Sequence, residues 1–288
     1  MRIYKVEDAV DGSATPGAVF TASINQKAIP QLGNTLNYLK LGLKGAVATA
    51  AVVIETFADL LAPFTLRKGA DNRIVLNADE LIALSVAYYG EKITHGENTD
   101  ATGNDFLGNI KIPVNDKFDP NAQFLYQLDR VAQTNIATET LALTAYADAE
   151  ADGLKPIHAV RVAHTTSGAA GIEQLQSRIP AVGTLKMLIV KYPAAAGFTD
   201  TNIDVSIQRL KIFSKGQEIA SFNALADSRS LVDNLDFVTP SPIADLLRKF
   251  LVFDLGDGLD AITGELTLAL DVQDVSDAIV IIPVLELA

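Results

Sequence analysis

The sequence contains no cysteine and no tryptophan, and only three histidines and two methionines in 288 residues. Without cysteine there is no disulfide framework, no thiolate zinc and no cysteine nucleophile. That absence leaves the compartment open, since exported proteins also do without cysteine. Without tryptophan, a sugar cleft lacks its largest stacking ring. Positive charge is also scarce: 23 Lys and Arg stand against 35 Asp and Glu, a net charge of −12. A duplex-binding protein takes most of its affinity from Lys and Arg set on phosphates. No Lys/Arg cluster is visible along this chain, so direct nucleic-acid binding is not expected. Acidity of this size keeps a chain dispersed by self-repulsion. Long hydrophobic runs are missing as well. The longest, Gly45 to Ile54, falls short of the roughly 20 residues a bilayer span requires. The opening Met1-Arg-Ile-Tyr-Lys-Val-Glu-Asp8 has no apolar leader region, so a cleaved export signal is not expected.

The common catalytic signatures are absent too. There is no Gly-x-Ser-x-Gly elbow and no His-Glu-x-x-His. Ser167 precedes Gly168-Ala-Ala-Gly171, but the lysine and spacing of a phosphate loop are lacking. A cupin needs His and Glu clustered on barrel strands, and His95, His158 and His164 are scattered. A glycosidase needs two carboxyl groups at a fixed separation in a cleft, which no spacing here specifies. The reading is that the chain is not an enzyme.

What is present is β structure. Apolar residues make up 49% and charged ones 20%, enough for a packed core. Short runs rich in Leu, Val, Ile and Phe are separated by polar turns, with no regular alternation of strand and helix. That pattern argues for antiparallel sandwiches and against doubly wound folds. Residues 1–30 are rich in Gly, Ser, Thr and Asn and read as an extended arm with one or two short strands; deleting residues 1–25 is expected to spare the fold but impair assembly. Strands are expected at Leu36–Leu43, Ala46–Phe57, Phe64–Arg67, Ser85–Tyr89, Leu107–Val114, Phe124–Leu128, Leu141–Ala147, Ile157–His164, Leu185–Lys191, Ile203–Phe213, Phe250–Leu255, Leu266–Val272 and Ala278–Leu285. Long loops are expected at 92–106 and 165–183. Asn77 and Glu80 have capping-box spacing, marking a helix of one or two turns. Ser241-Pro242 marks a second helix, with Ile243, Leu246, Leu247 and Phe250 on one face. The acidic stretch Asp148–Gly153 places a boundary near 155, giving an arm (1–30), a first β domain (31–155) and a second (156–288).

The two halves repeat one another. Phe124-Leu-Tyr-Gln-Leu-Asp129 is followed by Leu141-Ala-Leu-Thr-Ala-Tyr-Ala-Asp148. At nearly the same interval, Phe250-Leu-Val-Phe-Asp-Leu255 is followed by Leu266-Thr-Leu-Ala-Leu-Asp271. Upstream, Phe64-Thr-Leu-Arg-Lys-Gly69 matches Leu210-Lys-Ile-Phe-Ser-Lys-Gly216. The fold class read from this is all-β: two tandem eight-stranded antiparallel jelly rolls with a few short helices in loops.

Metal chemistry has three candidate places. His158 and His164 share one face of a continuous strand, but lie about 20 Å apart, too far for one ion. Asp254 to Glu265 spans an EF-hand length. Its third and fifth places are glycines and its sixth is Leu259, which excludes that motif. A looser calcium site built from Asp254, Asp257 and Asp260 is the candidate that remains. Glu97, Asp100, Asn104 and Asp105 form a second acidic loop of weaker pattern. No other cofactor is expected.

The repeated strand pairs, the two Lys-Gly turns, the helix start at Ser241 and the strand Pro180–Val190 together resemble the double jelly-roll major capsid proteins. These build tailless, membrane-containing icosahedral viruses, the lineage of tectiviruses, corticoviruses and adenoviruses. The resemblance implies a homotrimer whose six upright barrels make a pseudo-hexagonal tile. It implies neighbouring capsomers, penton and minor capsid proteins and an internal membrane as partners. It places the chain in the virion of a bacterial or archaeal virus, assembled in the host cytoplasm. Two other readings of the residues stay open. One is a tandem β-sandwich that binds a receptor or glycan. The other is a single jelly-roll capsid protein with large insertions, whose repeat is chance.

Overall fold

A computed structural model describes residues 1–8, 23–31, 33–47, 61–90, 95–96, 105–130, 136–149, 153–165, 172–191, 207–231, 247, 249–273 and 278–288. The first strands in chain order are β1 (Arg2–Asp8), β2 (Ser23–Ala28), β3 (Thr35–Val47), β4 (Leu61–Lys68), β5 (Asp71–Leu76), β6 (His95–Gly96), β7 (Asp105–Lys117), β8 (Phe124–Arg130) and β9 (Ile136–Asp148). They are followed by β10 (Ile157–Val160), β11 (Val162–Thr165), β12 (Ile172–Arg178), β13 (Gly183–Lys191), β14 (Ile207–Ser214), β15 (Gln217–Asn223), β16 (Arg229–Ser230), β17 (Phe250–Asp260), β18 (Leu266–Gln273) and β19 (Ala278–Leu287). Helices span Ala78–Tyr89, Ala224–Asp227 and Ala261–Gly264. The chain divides into two compact units, Met1–Ile157 and His158–Ala288. The sequence placed that division at 155.

Each unit is built from two rows of antiparallel strands. In the first unit, β6, β7, β3, β9 and β1 hydrogen-bond in that order, and so do β5, β4, β8 and β2. In the second, the orders are β16, β17, β13, β19, β11 and β15, β14, β18, β12. Each strand from β1 to β9 thus has a counterpart numbered ten higher, in the same sheet position. Only β10 is left over. Apart from the hairpins β4–β5 and β14–β15 and the short strands β6 and β16, strands adjacent in the sheet are distant in sequence, and each sandwich has the Greek-key connections of a jelly roll. A lone barrel with insertions is ruled out by this duplication.

The strands form because their side chains alternate. Leu39 and Leu41 of β3 are buried while Lys40 is exposed. Phe124, Tyr126 and Leu128 of β8 point inward and Gln127 outward. The second core gathers Leu185 and Leu188 from β13, Leu210 and Ile212 from β14, Phe253 from β17, Leu268 and Leu270 from β18 and Ile281 from β19. Alternation fails where both faces are covered: Ile279 to Leu285 is buried throughout, as a central strand with two covered faces should be.

Several expectations shift. The repeat is real, but two of its three pairings are one strand out of step. Phe124–Asp129 lies on β8, whose counterpart is β18, whereas Phe250–Leu255 lies on β17; likewise Leu141–Asp148 belongs to β9 and Leu266–Asp271 to β18. The Lys-Gly turns do correspond, closing the hairpins β4–β5 and β14–β15 with Gly69 at φ 58° and Gly216 at φ 81°. In a sandwich many strands alternate in the same way, so apolar period alone cannot say which strand matches which. A turn that needs a left-handed residue is local and keeps its place.

Residues 1–30, expected to form an arm, instead supply β1 on the edge of β9 and β2 on β8. The helix Ala78–Tyr89 takes in Ser85–Tyr89, read as a strand. Its capping box holds, with Glu80 Oε2 accepting the Asn77 N–H at 2.9 Å, and it ends at Gly90, φ 62°. Val86 and the two tyrosines gave those residues strand-like composition, but burial from Glu80 to Ala87 on all sides removes any period to read. Ile157–His164 is two strands broken at Arg161. The polar strand β12 occupies part of the 165–183 stretch read as a loop, and β5 and β15 were missed as second arms of tight hairpins. The helix expected from Ser241 falls mostly outside the described residues; Leu247 is helical, while Phe250, placed on the same helix face, opens β17 instead. Residues 48–57 of the strand expected at Ala46–Phe57 also fall outside them.

Candidate functional site

The three residues proposed as a calcium site all belong to β17, and their contacts go to separate partners. Asp254 Oδ2 meets Arg229 Nε of β16 at 2.9 Å. The main-chain oxygen of Asp257 accepts from Lys186 Nζ at 2.9 Å. Asp260 caps the short helix Ala261–Gly264, accepting from the Ile262 N–H at 2.9 Å and from both the N–H and hydroxyl of Thr263. Between Asp254 and Leu259 the strand bulges away from β13, with Gly256 at φ 58° and Gly258 at φ 90°. A side chain at Gly258 would also press within 2.6 Å of Thr184 Cγ2, so the bulge depends on that glycine. Among the described residues no group of three His, Asp or Glu side chains is placed to hold a metal ion.

The hydroxyl of Thr263, then the N–H groups of Thr263 and Ile262, hold the Asp260 carboxyl below its ordinary value of 3.8. A carboxyl depressed by folding adds stability above its unfolded pKa, and that contribution is lost as the pH falls through the lower folded value. A carboxyl-carbon NMR titration should place the Asp260 midpoint below 3.8 and show it rising in Thr263→Val. A midpoint at or above 3.8 in the natural chain would contradict the cap.

His158 sits on β10 and His164 on β11, where partial burial pushes the His164 imidazole below its ordinary value of 6.5. His95 lies on β6. Of the second acidic loop, Glu97, Asp100 and Asn104 lie outside the described residues and Asp105 opens β7. Ser167 to Gly171 also lies outside them.

Sequence reasoning passed over two clusters. In the first, Asp116 of β7 is 3% exposed. It meets Lys68 Nζ of β4 at 2.7 Å and Arg73 Nε of β5 at 3.2 Å, the latter an ionic contact without hydrogen-bond alignment. Lys68 also stands 5.5 Å over the Phe124 ring, and Phe118 meets that ring edge-on at 5.3 Å. This cluster bolts one row of strands in the first sandwich to the other.

The second cluster covers the outward face of β1, β9, β3 and β7. Ile3, Tyr146 and Tyr38 lie in one row of the register, and Lys40 pairs with Lys111 in the next. Tyr38 and Tyr146 stack with ring centroids 4.3 Å apart. Lys111 Nζ lies 4.7 Å from the Tyr38 ring and 4.0 Å from the Tyr89 ring. The alternation Tyr38-Leu39-Lys40-Leu41 held the signal, because inward leucines place Tyr38 and Lys40 outside.

No protein-family model and no curated protein matches the chain. Solved structures do match. The major capsid protein of Sulfolobus turreted icosahedral virus aligns over 100% of this chain and 97% of its own, at 11% identity and a TM-score of 0.66. The atomic structure of that virus aligns over 100% and 91%, at 12% identity and 0.64. The PBCV-1 virus capsid aligns over 98% and 92%, at 12% identity and 0.57. The fold is the double jelly roll. Both sandwiches take part in each match, as coverage of the full chain requires. At these identities the double jelly roll is shared as a backbone path, with few side chains in common.

Proposed function

We propose that this chain is a major capsid protein, a structural subunit with no catalytic step. The observation that carries the reading is the whole-chain match to capsid structures: both sandwiches align, in order, with no domain left over. Two similar rigid units in one chain present two similar sets of flanks, and three chains then give six sandwiches around one axis. The subunit forms homotrimers that act as pseudo-hexagonal tiles, and the tiles pack against neighbouring capsomers in an icosahedral shell. Penton proteins, minor capsid proteins and an internal membrane complete its surroundings, without direct contact to nucleic acid. Its place is the virion of a bacterial or archaeal virus, after assembly in the host cytoplasm. The net charge of −12 supports the lack of nucleic-acid contact.

Native mass spectrometry of the purified chain at neutral pH tests this. The expected result is a species of three times the chain mass, with hexagonal sheets in electron micrographs of concentrated samples. A chain that stays monomeric at every concentration would overturn it.

A further inference from the structure

The short strand β11 carries an ionisable side chain on its inner face. Val162 and His164 are half-buried, whereas Ala163 and Thr165 are exposed. His164 stands opposite Ile279 of β19, and Val162 opposite Ile281. Residues opposite each other in an antiparallel pair share a face. His164 therefore lies on the side of Ile279 and Ile281, which are 0% and 2% exposed and belong to the core of the second unit. Its Nε2 is buried and meets no hydrogen-bond partner. A neutral imidazole with its proton on Nδ1 leaves Nε2 as an unused acceptor, a modest cost. The imidazolium ion instead carries an N–H on both nitrogens, and a buried charge without a partner is expensive.

Among the described residues no anion is placed to offset that charge. On β19 the charged side chain is Glu286, which sits opposite Thr184 at the far end of the strand and pairs with Lys186. Across the core the facing strands present Leu175, Leu210, Ile212, Leu268 and Leu270. Upstream, His158 and Arg161 have contacts of their own. Asp277, which precedes β19, lies outside the described residues. Burial alone accounts for the lowered proton affinity of His164. β11 is also lightly held: it has four residues and, among the described strands, pairs only with β19. β10, just before it, is anchored by Ala159 at 0% exposure, so opening can stop at Arg161.

We propose that His164 is an acid-operated latch: when it takes a proton, β11 leaves β19 and bares the β19 edge from Ala278 to Ile281. A bared edge offers main-chain N–H and C=O groups to another strand. The sign follows from linkage. His164 binds its proton less well in the closed strand, so closure has its full stability above 6.5 and loses it as the pH falls toward the lower midpoint of the folded chain. The latch does not depend on the shell-building reading.

Hydrogen exchange of the full-length chain tests it, read by mass spectrometry and corrected for the intrinsic pH dependence of exchange. From about pH 7.5 to about pH 5, protection of residues 162–165 should fall at least about threefold while β14 keeps its own. His164→Leu should hold β11 protected at both pH values, with His164→Gln as the second variant in case leucine overfills the rim. The imidazole NMR titration of His164 in the natural chain should have its midpoint below 6.5. A midpoint at or above 6.5 would mean that an anion faces the ring, and the latch fails. Protection of β11 that is the same at both pH values overturns the proposal as well. So does an acid loss that β14 shares, which is global unfolding, or one that persists in the His164 variants, which belongs to another group. If neither variant folds, the titration and exchange of the natural chain decide alone.

Discussion

A chain lacking residues 1–28 should fail to keep its first sandwich folded. β1 pairs with β9 from Arg2↔Ala147 to Asp8↔Ala142, and β2 pairs with β8 from Ser23↔Asp129 to Ala28↔Leu125. Ile29, the first residue the truncated chain keeps, is buried and donates its N–H to the Phe124 oxygen at 2.8 Å, so the cut falls where the chain enters the core. Removing both strands breaks on the order of ten ladder hydrogen bonds, each worth roughly 0.5–1.5 kcal/mol net. It also bares two sheet edges to pairing with other chains. The loss, on the order of 5 kcal/mol or more by that count, rivals the 5–15 kcal/mol that holds a typical domain together. A urea melt should show the transition of the first unit lost or moved to much lower denaturant, with aggregation on storage. A truncated chain with an unchanged midpoint would show that the first 28 residues are the dispensable arm their composition suggests.

Asp116→Ala should cost about 3 kcal/mol. The Asp116 side chain is 5% exposed, and Lys68 and Arg73, at 14% and 17%, are largely withdrawn from water. Taking away the carboxylate leaves two cations near each other with their shared anion gone, and an uncompensated buried charge is what makes such a change severe. Asp116→Asn keeps the shape and an acceptor for Lys68, so its loss should be smaller. The Arg229–Asp254 pair is the contrast. Those side chains are 31% and 50% exposed, and Asp254→Ala should cost under about 1 kcal/mol, as surface ion pairs do. Urea midpoints of the three variants, compared at one pH, decide the matter. Equal midpoints for Asp116→Ala and Asp254→Ala would mean the inner cluster contributes no more than a surface pair.

The way these elements were read from sequence shows what kind of information the chain carries. Strands with one wet face were legible: Phe124–Leu128, Leu185–Lys191 and Leu266–Val272 alternate or run apolar within a few residues of β8, β13 and β18. Hairpins with left-handed turns, at Gly69 and Gly216, were legible as turns because glycine there answers a local steric demand. The polar strands escaped. β12, Ile-Glu-Gln-Leu-Gln-Ser-Arg, and β15, Gln-Glu-Ile-Ala-Ser-Phe-Asn, lie on sheet edges where few side chains need burial. The same holds for β1, whose Ile3 and Tyr4 stay exposed. Edge strands are held by main-chain hydrogen bonds, and these leave little mark on composition. Asp254, Asp257 and Asp260 cluster in sequence, yet a bulge separates them: the Asp254 carboxylate pairs with Arg229, the Asp260 carboxylate caps a helix, and Asp257 is engaged through its main-chain oxygen. Asp116, Lys68 and Arg73 were missed for the opposite reason: they meet only in three dimensions, from β7, β4 and β5.

By itself the sequence determined the class of architecture. Apolar alternation, polar turns and a scarcity of helix signals leave only antiparallel β layers, and the Lys-Gly turns mark the layers as doubled. Its lack of cysteine, its acidity and its missing catalytic patterns narrow the chemistry. Tertiary structure alone decided which strand answers which, that the first residues close a sheet, and where lysines and tyrosines from separate strands share a face. The reason is physical: period and turn geometry are set between near neighbours in the chain, whereas strand order and side-chain clusters are set by pairing between segments far apart in sequence, to which many similar strands are equally suited until packing selects one arrangement.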